Sequence, residues 1–122
     1  MTDTSSYPPA LDPQDLERFL VERQRAGDID GMLALFETDA ILDPGGGQLV
    51  QGKEEIRVLF TELVESGEKL MLGQQSPAII NGDLALTSVK VADGSVTAEV
   101  ARRQPGGNWL WVIDRYSVLA IE

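Results

Sequence analysis

The sequence has no cysteine and no histidine. Without cysteine there is no disulfide, no thiolate nucleophile and no thiolate metal site, and the redox compartment is left open. Without histidine the usual general base near neutral pH and the commonest metal ligand are missing, so acid–base chemistry falls to carboxylates, tyrosine or lysine. Basic residues are scarce as well, with 10 Lys plus Arg against 20 Asp plus Glu and a formal net charge of -10. A field of that sign repels phosphate backbones and anionic membrane surfaces, so neither nucleic acid nor membrane is expected as a partner. No apolar run reaches the ~20 residues of a membrane-spanning helix. Met1-Thr2-Asp3-Thr4 carries no positive charge and no apolar segment follows it, which leads us to expect a soluble, cytoplasmic protein. Internal repeats, glycine-rich phosphate loops and metal-ligand clusters are absent too, so no cofactor and no metal are expected.

What is present is 122 residues with 43% hydrophobic content, enough for one core. Residues 1–10, with Ser5, Ser6, Pro8 and Pro9, have no periodicity and read as a loose leader, leaving residues 11–122 as a single domain. Asp12-Pro13-Gln14-Asp15 reads as a helix start, and Leu16, Phe19 and Leu20 share a face of a helix that stops at Gly27. Asp28 can cap a second helix carrying Ile29, Met32, Leu33 and Phe36 at helical spacing. A short strand, Ala40 to Asp43, ends at Pro44 and three glycines, and Gln48 to Gln51 can return beside it. Gly52 then precedes a third helix with Ile56, Leu59, Phe60 and Leu63 on its apolar stripe, ending near Gly67.

Beyond Gly67 the hydrophobic period changes to two. Lys69 to Ile80, Leu84 to Val91, Ser95 to Arg103 and Asn108 to Ile121 are strand candidates separated by turn residues, an antiparallel meander. Three helical segments followed by a run of strands predict an α+β domain with helices on one face of a curved sheet. Strict alternation divides the last strand into Leu110, Val112, Asp114, Tyr116, Val118 and Ala120 on one side and Trp109, Trp111, Ile113, Arg115 and Ser117 on the other. If the helices cover the first row, Asp114 and Tyr116 point together into an apolar space. The second row then exposes Trp109, Trp111 and Ile113, an aromatic patch that suggests a homodimer formed sheet to sheet. In the preceding strand Val96, Ala98 and Val100 share one face and Thr97, Glu99 and Ala101 the other, with the small Ala98 expected to leave space inside.

Asp43 has two readings. Beside an apolar cavity its carboxylate would lose solvation and take a proton from carbon or activate water; as the opener of Asp-Pro-Gly it would only bond nearby backbone N–H groups. Asp114 divides in the same way, between a desolvated acid and a carboxylate tied to Tyr116 or an arginine.

Gly27-Asp28-Ile29-Asp30-Gly31-Met32, Thr38-Asp39-Ala40-Ile41-Leu42-Asp43-Pro44, Gln51-Gly52-Lys53-Glu54-Glu55-Ile56 and Gly107-Asn108-Trp109-Leu110-Trp111-Val112-Ile113-Asp114, in this order, resemble the SnoaL-like branch of the nuclear transport factor 2-like superfamily. The resemblance covers nearly everything after residue 12. It implies a cone-shaped fold of three helices on a strongly curved, mostly antiparallel sheet, a pocket between them, and frequent dimerisation through the sheet. Among its members, ketosteroid isomerases carry a proton-shuttling aspartate where Asp43 falls, whereas their oxyanion donors align near Leu20 and near Val96 to Ala98, which offer none. The leading expectation is a protein that binds a small hydrophobic or aromatic molecule in an enclosed apolar pocket. One alternative is an isomerase, cyclase or hydrolase with Asp43 as general base and Asp114 and Tyr116 positioning the substrate. The other is a protein-interaction module using the Trp109/Trp111 face.

Overall fold

A computed structural model describes residues 7–119. The chain opens with three helices, α1 (Asp15–Arg25), α2 (Ile29–Leu33) and, after two strands, α3 (Gly52–Glu65). The helix ends follow their sequence signals. Gly27, with φ +72°, follows α1, where an L side chain would be strained. Asp28 caps α2, its carboxylate accepting from Gly31 N at 2.9 Å. Asp12 does not cap α1 itself; its carboxylate accepts from Gln14 N in the turn that leads into the helix.

The strands are β1 (Phe36–Asp43), β2 (Val50–Gln51), β3 (Gln74–Gln75), β4 (Ile79–Asn81), β5 (Leu84–Thr87), β6 (Val89–Lys90), β7 (Ala98–Arg103) and β8 (Trp109–Arg115). Six form one sheet in the order β2-β1-β8-β7-β5-β4, and β3 pairs with β6 in a separate ribbon. The sheet is mixed, because β1 runs parallel to β8. Phe36, expected on the second helix, is instead the first residue of β1. The α2 helix ends at Leu33, and Leu35 O accepts from Trp111 N at 2.9 Å, which draws the chain into the sheet.

The largest departure from expectation lies in β8. Trp109 and Trp111 are 5% and 2% exposed and belong to the core, with Trp111 packed in a tilted contact against Phe36 at 5.1 Å between ring centroids. The cause is an irregularity in the ladder: Ala101 pairs with Trp111 and Val100 with Ile113, so Val112 has no partner on β7. The extra residue shifts the alternation, and Trp109, Trp111 and Asp114 all face the helices, while Ile113, at 49%, faces out. The proposed two-tryptophan dimer face is therefore not on the surface. On β7 the inward residues are likewise Glu99 and Ala101, both buried, and not Ala98 or Val100.

Residues 7–10 pack on the domain. Tyr7 donates to the Asp28 carboxylate at 3.0 Å, and Ala10 is buried with its carbonyl accepting from Trp109 N. Residues 1–6 of the expected leader and Ala120 and Ile121 of the expected last strand lie outside the described residues.

Candidate functional site

Between the helices and the inner sheet face is a cavity of about 240 Å³. Its apolar wall comes from Leu20 of α1, Met32 of α2, Phe36 of β1, Phe60 and Leu63 of α3, and Trp111 of β8. Leu70, Met71 and Val91 from the loops complete that wall, and the polar lining is Glu17, Glu68, Thr97, Glu99, Asp114 and Tyr116. The loop after α3 is fixed over the cavity by Gln24. This fully buried amide donates to Glu68 O at 2.7 Å and accepts from Leu70 N at 2.9 Å. A second clamp joins Gln14 to the ribbon region, where Gln14 donates to Ser76 O and Gln75 donates to Gln14 O, each at 3.0 Å.

Glu99 and Asp114 stand directly opposite each other on β7 and β8, which brings their β-carbons to about 5 Å. Both are buried. Glu99 accepts from the Thr87 hydroxyl at 2.7 Å. The Asp114 carboxyl has no hydrogen-bond donor or ion-pair partner among the described residues. Burial pushes Asp114 well above the usual carboxylate range, and the nearby Glu99 and Glu17 push in the same direction. Burial also raises Glu99, against the opposing effect of its Thr97 and Thr87 hydroxyl partners. Glu17, desolvated on α1 and facing Glu99, is pushed up to about 7. Tyr116 is raised by burial and by Asp114, so its phenol stays protonated. Every shift favours the uncharged form. Lining this cavity are four acidic side chains and no basic one. Among the described residues one fully buried side-chain polar atom is unsatisfied: the Trp111 indole N–H has no acceptor.

Of the three candidates from sequence, the structure brings Asp114 and Tyr116 into one wall and leaves Asp43 outside it. Asp43 faces the opposite side of the sheet, where Arg115 Nε donates to it at 3.1 Å and Gly45 N donates to it at 3.1 Å. The turn-opening reading describes this side chain. Its backbone still serves the site, because Asp43 O accepts from Tyr116 N at 3.0 Å and so anchors the tyrosine. Glu17 and Glu99 were missed. Glu99 was assigned to the same face as Ala101 by alternation alone, but which face was inward depended on the Val112 irregularity in the neighbouring strand.

Among the described residues no group of histidines, cysteines or carboxylates converges as metal ligands. No described helix is long and apolar enough to cross a membrane. A second cleft, about 410 Å³, is lined by residues including Tyr7, Arg23 and Lys53; it has no carboxylate, and its Arg23 is already bonded to the carbonyls of Gly31 and Pro8.

This arrangement is the nuclear transport factor 2-like, cystatin-like fold. A nuclear transport factor 2-like protein of unknown function from Pseudomonas putida KT2440 superposes with a TM-score of 0.63 at 20% identity, over 85% of this chain and 82% of that one. A proposed dehydratase of the same family from Streptomyces avermitilis gives 0.68 at 16% identity, over 84% and 89%. A proposed calcium/calmodulin-dependent protein kinase type II association domain from Thiobacillus denitrificans gives 0.69 at 14%, over 89% and 96%. No protein-family model matches the sequence, and no curated protein matches it. At these identities the likeness defines the fold, and one fold hosts many activities.

Proposed function

We propose that this chain, read as a member of the SnoaL-like branch, binds a small, mainly apolar molecule in the cavity between the helices and β7–β8, with Asp114 and Tyr116 as its polar anchors. The observation that supports this reading most is Asp114: a carboxyl only 7% exposed, with no donor from the described residues, in the wall of a mainly apolar chamber. A buried polar group without a partner costs about 1–3 kcal/mol, and a bound ligand is the simplest source of that partner. Trp111 lies in the wall and reports occupancy. Titration with small aromatic compounds is expected to change its fluorescence and to produce a ligand-shifted mass under native conditions; an unchanged signal and a bare mass with protein taken from its source reject the reading.

A second reading, proton transfer in an isomerase, cyclase or hydrolase reaction, is favoured by the cross-strand Glu99–Asp114 pair. Two neighbouring carboxyls whose environments differ can divide acid and base roles. In this reading the base expected at Asp43 is replaced by Glu99, because Asp43 lines the other face. Against any substrate that turns over, Asp114→Asn is expected to lower kcat, and an unchanged value rejects it.

The outer sheet face supports self-association through different residues from those expected. Ile79, Leu86, Val100, Ile113 and Ile41 pair in sequence across neighbouring strands, an apolar row without the tryptophans. The flanking charges are matched within the chain, as Arg102–Glu37, Arg103–Asp83 and Arg115–Asp43. Such a face fits a second copy of itself. Sedimentation of Ile113→Glu is expected to give a monomer from a dimer; an unaltered mass rejects this interface.

A further inference from the structure

We propose that the occupant of the inner cavity is an organic cation, a small amine whose ammonium N–H groups are donated to Glu99 and Asp114 while its apolar body lies among Phe36, Phe60 and Trp111. The inference rests on the binding reading above and names the charge of the ligand.

Charge balance comes first. The cavity has carboxyls from four directions: Glu17 on α1, Glu68 after α3, Glu99 on β7 and Asp114 on β8. No lysine or arginine lines it. Elsewhere on this acidic chain the recorded ion pairs involve arginines outside the cavity. A second, independent feature is hydrogen-bond deficit at the same place. Asp114 has no donor among the described residues, and Glu99 has only the hydroxyls of Thr87 and Thr97. The deficit at the carboxyls is of donors, which an ammonium supplies in threes. An anionic ligand would oppose any ionisation of these carboxyls, and a neutral hydrocarbon would offer them no hydrogen-bond partner. The carboxyls do not converge as metal ligands among the described residues, so the positive charge has to be carried on a body that fills the chamber. The aromatic walls suit such a body, since ring faces attract cations.

Proton balance then follows. In the empty protein burial favours the acid forms of Glu17, Glu99 and Asp114. Binding an ammonium stabilises their carboxylates, so protons leave to solvent as the cation enters. Glu68 is exposed at the mouth, and Tyr116 remains protonated throughout.

The test uses the full chain and three probes of matched size: phenylbutylamine, phenylbutanol and phenylbutyrate. Calorimetry and Trp111 fluorescence are expected to show the amine binding about tenfold or more tightly than the alcohol, the equivalent of one charge-assisted hydrogen bond, and the carboxylate weakest. In buffers of different ionisation heat near pH 6, the amine is expected to release protons and the alcohol none. Asp114→Asn is expected to lose the amine preference, and Glu62→Gln, which removes an exposed charge of the same sign, to keep it. If Asp114→Asn does not fold, proton release by the unaltered protein decides. Alcohol binding as tight as amine, or no proton release, overturns the cation and leaves the binding reading standing. No binding by any of the three overturns both.

Discussion

Asp43 and Asp114 lie on neighbouring parallel strands one register step apart, with Leu42 opposite Asp114 and Asp43 opposite Arg115. They nonetheless occupy different chemical worlds. Asp43 faces water and has an arginine and a turn amide for partners. Asp114 faces the helices, has neither, and meets two further acids, Glu99 beside it on β7 and Glu17 on α1. The same side chain is a structural anion on one side of the sheet and a desolvated acid on the other. Residue type and approximate position therefore say little about chemistry until the face is known.

The comparison can be broken most severely from the inner side. Phe36, 1% exposed and in contact with Phe60 and Trp111, is expected to cost about 3–5 kcal/mol when replaced by alanine; urea unfolding measures it, and a loss under about 1 kcal/mol would mean the inner wall is not packed as described. Next is the dependence on pH. Glu17 ionises near 4.5 in the unfolded chain and at about 7 in the fold. The stability it contributes is full below the first value and is lost as pH rises through the second. Stability is accordingly expected to fall from about pH 5 to about pH 8, and Glu17→Gln to flatten that slope in thermal melts. A slope that Glu17→Gln leaves unchanged would assign it to other groups. Thr87→Val removes the hydroxyl bonded to buried Glu99 and is expected to cost about 1–2 kcal/mol, with a larger loss at high pH than at low, because the ionised carboxylate needs the donor more. The smallest effect belongs to the outer face. Asp43→Asn weakens a partly exposed ion pair and keeps a turn acceptor, and is expected to change stability by less than about 1 kcal/mol. A larger loss there would erase the contrast between the two aspartates.

Much of the frame was legible because local signals had no strong competitor. Gly27, Asp28 and Gly67 set helix boundaries where a positive φ or a cap was required. The Ile56 and Phe60 stripe was buried as its spacing implied. Phe36 was misread because its spacing from Met32 and Leu33 is helical, while its burial is satisfied equally well by a strand that packs on the same core. The tryptophans were misread for another reason. Alternation is a rule of uninterrupted pairing, and the interruption at Val112 is set by the partner strands, which a single stretch of sequence does not contain. Tyr116 and Asp114 were legible as neighbours on one face because they lie on one side of that interruption. Glu17 and Glu99 were not, because each is an ordinary acidic residue until two separate elements turn it towards the same chamber.

The irregularity at Val112 also has a meaning for how this chain can vary. Inward positions of the strand are odd-numbered before it and even-numbered after it. Val112 thus works as a parity switch between a greasy half and an acidic half. Pairing Val112 into an unbroken ladder would force a choice: keep the tryptophans seated and present an isoleucine to the chamber, or keep the acid and evict two indoles. Deleting Val112 outright has the opposite effect, because it joins two stretches whose parities then agree and leaves Trp109, Trp111, Asp114 and Tyr116 in one inward row, so an alignment gap at this position would mark a protein that keeps the same chamber with a regular ladder.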